Sequence, residues 1–314
     1  MNDLNKIRYL SAVIAGLSFG SIPVISAILR NLGVSSIEQT FIRILLGSIF
    51  GFIVILFYFF KKRVTFKETS SRKLQLIYLL QGLIFVLMIL SYLSSVALNT
   101  PVGEAALLVQ MHPFITLLAG WKLLNEELTA RKVLAIFIAI SGIIILTRPW
   151  SWQQFLTHIV GDLFALANGV LYAIYLLIGR SSSEKRKNVP YILSISFVLF
   201  WSIIIAIPLL FCLSFLPLPN SLSTFSFTIL VNPGIIGIGI IFAVFGSIIP
   251  YGLIMVALKK IESSKASILL LGEPVSAIIL GFLILSQSIT IWYLIGGSLI
   301  MCAVIIIVLS RSKT

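Results

Sequence analysis

Met111-His112-Pro113, followed by Gly120, Glu126 and Thr129, and Gly272-Glu273-Pro274, followed by Gly281, Gln287 and Thr290, are two versions of one phrase. In each, a glycine comes seven residues after the proline and a threonine sixteen after it. Apolar helices share Leu and Ile by composition, so only the punctuating residues count. These keep matching beyond the motif, with Ala135 against Gly296 and Gly142 against Ala303. A spacing held over that length identifies an internal repeat. The copies differ at the residue before proline, His112 in one and Glu273 in the other.

Around these motifs the chain is too apolar for a soluble globule. It is 59% hydrophobic and 11% charged over 314 residues, with mean hydropathy +1.12, where soluble domains carry about 25% charged residues. Uncharged runs long enough to cross the hydrocarbon as helices predict spans at 9–29, 40–60, 74–98, 102–124, 133–147, 159–179, 191–213, 229–258, 267–285 and 291–309. The alternating short segments of a membrane barrel are absent. The opening run is too long for a signal-peptide core and has no convincing cleavage site, so it is expected to remain as the first helix.

The net charge of +13 is distributed by topology. With the N-terminus inside, the inner segments hold Lys6 and Arg8, then Lys61 to Lys73, Lys122 to Lys132, Arg180 to Lys187, Lys259 to Lys265, and finally Arg311 and Lys313. Only Arg30 and Arg148 fall outside, with Arg43 within a span. This is the positive-inside rule: both termini are expected in the cytoplasm, and the basic patches serve the bilayer rather than nucleic acid. An odd number of spans separates the two motifs, so they cross in opposite senses. The expected fold is an all-α membrane protein of ten transmembrane helices, built as two inverted five-helix repeats over 1–150 and 151–314. That architecture belongs to transporters that hold substrate near the midplane.

Small residues recur at helix-packing spacing: Gly16 and Gly20, Gly47 and Gly51, and Gly161, Ala165, Gly169 and Ala173. Phe19-Gly20 in the first helix parallels Tyr172-Ala173 in the sixth, a second trace of the repeat. The segment from Arg148 to Phe155, rich in Trp, is expected as an outer loop anchored at the headgroups. Cys212 and Cys302 are expected as buried thiols without a disulfide.

The chain resembles the drug/metabolite transporter superfamily and its EamA-type members over essentially its whole length. The resemblance rests on Phe19-Gly20, Phe41-Ile42-Arg43, Pro113 with Gly120, Leu124-Asn125-Glu126-Glu127-Leu128-Thr129, and Glu273-Pro274-Val275 with Gly281. Phe19 stands where a Trp is common, Asn125 where a Gly is usual, and Gln287 where the second half has Glu; a carboxylate at that last position is therefore dispensable here. The resemblance implies ten helices, export of amino acids or other small metabolites, and no ATP hydrolysis. Consistently, the sequence has no phosphate-binding glycine loop and no zinc-type Cys or His spacing, so no cofactor or metal is expected.

Ionisable residues inside spans are functional candidates by default, because each costs about 2.5 to 3.5 kcal/mol at mid-bilayer on insertion scales. Arg43 is expected about one turn inside the second helix, either attracting a carboxylate or serving as a structural or snorkelling cation. Glu104 follows Thr100 and Pro101, read as the cap and first residue of the fourth helix, where the helix terminus favours a carboxylate. His112 and Glu273 precede prolines that open the backbone and expose a carbonyl, and either could carry a coupling proton. Tyr92, Gln110, Asn168 and Tyr175 are expected as polar or aromatic lining. Gly20, Pro113, Gly120, Pro274 and Gly281 set kinks and packing. Asp162, Glu126 and Glu127 are expected at helix ends and His158 in the outer loop.

The leading reading is a secondary transporter exporting amino acids across the cytoplasmic membrane, with a small-molecule substrate as partner and protons as the candidate coupling ion; monomer and homodimer stay open. Nucleotide-sugar or lipophilic-cation carriage is the alternative within this fold. A lipid-modifying membrane enzyme would need an interfacial cluster such as His158 with Asp162, and a receptor would favour seven helices.

Overall fold

The structure, a computed structural model, describes residues 11, 14–61, 71–124, 129–148, 150–182, 185, 189–258, 270 and 272–309. Asn125 to Leu128, with the motif carboxylates Glu126 and Glu127, lie outside the described residues. The described residues are helical, with no strand among them. Hydrocarbon offers backbone groups no partner, so apolar runs satisfy their own N–H and C=O groups as helices.

In chain order the helices are α1 (Ser21–Asn31), continuing helix from Ile14, α2 (Ser36–Phe60), α3 (Arg72–Ala97), α4 (Val102–Val109), α5 (His112–Leu124) and α6 (Ala130–Thr147). There follow α7 (Trp152–Ser181), α8 (Tyr191–Ser214), α9 (Pro233–Ala243), α10 (Ile249–Leu258), α11 (Gly272–Leu285) and α12 (Ile291–Leu309). Single helical turns occupy Asn220–Ser223 and Phe227–Leu230 between α8 and α9. Six described helical stretches are long and apolar enough to cross a membrane, and Val133–Thr147, Gly272–Leu285 and Ile291–Ala303 are shorter apolar helices. The protein is a multi-pass membrane protein.

Several boundaries depart from the sequence expectation, each for a local reason. The span expected at 102–124 is two helices, because Pro113 has no N–H for the Val109 carbonyl and its ring crowds the preceding turn. The span expected at 229–258 divides at a π turn, Val244–Ile248, just before Pro250. α2 begins four residues early because Ser35 and Glu38 form a reciprocal capping box, with the Ser35 N–H on Glu38 Oε2 at 2.8 Å and the Glu38 N–H on Ser35 Oγ at 3.2 Å. Arg43 therefore sits two turns inside α2, rather than one. Trp152 and Phe155, expected in a loop, belong to α7, and so does His158. Pro101, not Thr100, caps α4. Cys212 and Cys302 are free, as expected, but lie exposed on their helices' outer faces.

Lipid tails are as apolar as Leu, so helix association rests on close packing and interhelical hydrogen bonds. α2 packs along α8, α3 along α7, and α6 along α12. The α6–α12 seam is tight: a Cβ on Gly142 would stand 2.8 Å from the Gly296 carbonyl, and one on Gly296 would stand 2.7 Å from the Gly142 carbonyl. Ala135, Ala139 and Ala303 continue the seam with Phe114. Ser48 Oγ donates to the Leu199 carbonyl at 2.8 Å, joining α2 to α8, and Asn168 Nδ2 donates to the Met88 carbonyl at 2.6 Å, joining α7 to α3.

Candidate functional site

α4 lies between α7 and α11, and the geometry of the site follows from how closely these helices approach. α4 and α11 run antiparallel, with Gly103 against Ile278 at one end and Gln110 beside Glu273 at the other. Gly20, where α1 begins, crosses α11 backbone to backbone: a Cβ there would stand 2.7 Å from both the Glu273 carbonyl and the Ala277 N–H. No larger residue fits without moving α1 off the site. Gln287 turns back from the end of α11 and accepts the Val102 N–H at 3.2 Å. It caps α4 as a neutral acceptor.

Glu273 is 2% exposed. Its Oε1 accepts the Tyr92 hydroxyl at 3.0 Å and its Oε2 accepts the Gln110 amide at 3.5 Å. Both donors are neutral, so the carboxylate is hydrogen-bonded without being neutralised. Arg43, 1% exposed, lies within electrostatic reach of Glu273 and Tyr92. Its own hydrogen bonds go elsewhere: Nε donates to Ser247 Oγ at 2.9 Å, Nη2 donates to the Gly246 carbonyl, and the guanidinium stands 4.8 Å from the Phe242 ring centroid. Pro250 has no N–H to offer the Gly246 carbonyl four residues before it, and Arg43 supplies the missing donor. At 1% exposed Arg43 does not snorkel to the interface; its donors are spent on Ser247 and Gly246.

His112 is fully buried at the α4–α5 break, its ring 4.6 Å from that of Tyr172. Neither ring nitrogen has a hydrogen-bond partner among the described residues, and the same holds for Gln110 Oε1 and the Tyr172 hydroxyl. Buried polar atoms are paired in the great majority of cases. Here several unpaired polar atoms collect on one side of the bundle. Aromatic rings complete the wall: Phe19 and Phe85 stand 4.9 and 4.8 Å from Tyr251, and Tyr175 stands 5.6 Å from it, all edge-on. Phe19 also meets Tyr172 at 6.1 Å.

Of the sequence candidates, the structure brings Tyr92, Gln110, His112 and Glu273 together, with Tyr175 in the aromatic wall and Arg43 at its edge. Gly20, Pro113 and Pro274 shape the same place. Gly281 faces Val102 farther along α11. Asn168 is committed to the Met88 carbonyl. Glu104 lies apart, about 9 Å along α4 from Gln110 at 1.5 Å per residue. Sequence reading missed Phe85, Tyr172 and Tyr251, because an aromatic residue in an apolar span carries no charge signal. Only the neighbouring Pro250 hinted at Tyr251.

The EamA-like transporter family model matches residues 6–148 and again 159–309. The chain belongs to this family. Among its relatives, an uncharacterized transporter of Archaeoglobus fulgidus is 24% identical over 297 residues, covering 95% of this chain and 93% of its own. The uncharacterized transporter YyaM of Bacillus subtilis is 25% identical over 76% of this chain and 75% of its own. Mouse solute carrier family 35 member G1 is 26% identical over 66% of this chain and 54% of its own. A crystal structure superimposes with TM-score 0.63 over 98% of this chain and 99% of that one at 15% identity, a likeness of fold alone. This EamA-family chain is therefore a membrane transporter in kind, and the geometry around Glu273 is the place to ask what it carries.

Proposed function

We propose that the protein is a secondary transporter of ten transmembrane helices in two inverted halves, 1–150 and 151–314, which exports amino acids across the cytoplasmic membrane by alternating access. The paired matches of the family support the two halves, and so do contacts that repeat between them. Gly272 approaches Gly16, and Met111, the counterpart of Gly272, approaches Gly169. Phe19 and Tyr172, equivalent residues in the two halves, touch each other, as a pair near a two-fold axis does. In this arrangement the site lies where the halves meet.

The observation that carries the substrate reading is Glu273, a buried carboxylate held only by neutral donors and faced by unpartnered polar atoms. An amino acid matches it group for group. The ammonium pairs with Glu273 and donates to the free Gln110 Oε1, the carboxylate takes a donor from His112, and the side chain lies against Phe19, Phe85 and Tyr251. Binding to one face of the path and release to the other follow if the halves rock about the α6–α12 seam. Protons supply the coupling, so acid outside accelerates export.

The test is flux into and out of liposomes for a panel of amino acids, with and without a pH gradient, for wild type and Glu273→Gln. Wild-type flux for at least one amino acid is expected, falling at least about tenfold in the variant. A panel without flux under any gradient refutes the amino-acid reading. The aromatic wall around a carboxylate favours a second reading, carriage of a lipophilic cation. Competition by tetraphenylphosphonium without any amino-acid flux would select it.

A further inference from the structure

Away from Glu273, two more carboxylates are buried together. Glu104 extends from the first turn of α4 and Asp162 from α7; each is 2% exposed, and they interact electrostatically. The sequence places Asp162 at a helix end; Gly161 beside it allows α7 to press against the Ser95–Thr100 turn and bury it. Asp162 Oδ1 accepts the Thr100 hydroxyl at 3.1 Å. Asp162 Oδ2 and Glu104 Oε2 have no hydrogen-bond partner among the described residues. Two carboxylates on different helices thus each keep a free oxygen in an enclosed space.

The charges around them are few. Arg148, at the end of α6, is within electrostatic reach of Glu104, and Tyr293 on α12 faces both acids. His158, one turn before Asp162, sits near Arg148. Two carboxylates against one guanidinium leave one negative charge without compensation. Like-charged carboxyl groups in one buried site settle this by sharing a proton.

We propose that Glu104 and Asp162 hold one proton between them and are a proton-coupling site of the transport cycle, distinct from the Glu273 site. The proton adds to one carboxylate and neutralises it, which leaves the other balanced by Arg148; no co-reactant is required. A metal ion fits less well. Hard cations take six or more oxygens, and among the described residues no group of three or more His, Cys, Asp and Glu could hold one. The Gln287 cap on Val102 closes this same end of α4. The coupling role rests on the transporter reading; the shared proton does not, and it is tested separately.

The experiment is infrared spectroscopy of the full chain in lipid bilayers at neutral pH, in sodium chloride and in choline chloride. Wild type should show the carbonyl stretch of a protonated buried carboxyl group, lost on raising the pH. Glu104→Gln and Asp162→Asn should each remove it, because Arg148 then balances the single remaining carboxylate. Glu273→Gln should leave that component in place. Persistence of the band in both Glu104→Gln and Asp162→Asn overturns the proposal, and so does its loss on adding sodium, which would make the ligand a metal cation. In liposomes, the ratio of flux with and without a pH gradient should fall to about 1 in either variant; a ratio matching wild type overturns the coupling role. Wild-type protein that shows the band but no flux counts against the transporter reading alone.

Discussion

Replacing Arg43 by Met tests the most specific tie between the halves. The perturbation removes two donors, one to Ser247 Oγ and one to the Gly246 carbonyl, together with the contact to Phe242. Hydrogen bonds from a charged group contribute roughly 1.5 to 3 kcal/mol each, and the cation–π contact about 0.5 to 2 kcal/mol. Releasing a guanidinium from burial returns several kcal/mol, so a net loss of about 3 kcal/mol is expected. The Gly246 carbonyl cannot turn to the N–H four residues on, because position 250 has none. This supplies a sharper check. Pro250→Ala restores that N–H, so it should recover about 1 kcal/mol in the Arg43→Met background and little in wild type. The assay is equilibrium unfolding in mixed micelles followed by tryptophan fluorescence. If Arg43→Met stays within about 0.5 kcal/mol of wild type, or if Pro250→Ala has the same effect in both backgrounds, the reasoning fails.

Other outcomes follow from the same contacts. Gly142→Leu should separate α6 from α12 and destabilise the protein by about 1 to 3 kcal/mol in the same unfolding assay, with Gly142→Ala intermediate. Gln287→Ala should cost about 1 kcal/mol through the lost α4 cap, while Gln287→Glu should retain most of it; equal losses in both would contradict the cap. Glu38→Ala removes the acceptor for the Ser35 and Ser226 N–H groups and should cost about 1 to 2 kcal/mol. Tyr92→Phe deletes one of two donors to Glu273 and should alter transport by less than Glu273→Gln does, read as flux in liposomes.

What could be read from the sequence was whatever local chemistry dictates. Pro113 announced an opening in the backbone, and the structure has a helix break there. The Ser35–Glu38 box is equally visible as Ser-x-x-Glu, and it starts α2 four residues before the apolar run does. The aromatic Trp150-Ser151-Trp152 run suggested a loop, yet Trp152 already lies within α7. Long-range partners were beyond reach. Nothing near Arg43 in sequence points to Gly246, and Asp162 looks like a wet helix end until the Thr100 turn covers it. Glu273 stood out because a carboxylate in an apolar run is conspicuous by itself, whereas Phe85 and Tyr251 needed the fold to bring them together.

The interruption between Val109 and His112 has an electrical consequence. A continuous helix would keep its poles at the two membrane surfaces. Broken here, it brings the negative end of α4 and the positive end of α5 into the interior, while Glu273 occupies the first turn at the positive end of α11. These fixed poles are made of backbone and neither titrate nor swing away. A zwitterion entering between them is oriented before any side chain moves, and a helix healed by Pro113→Ala would lose that field while keeping every ionisable group.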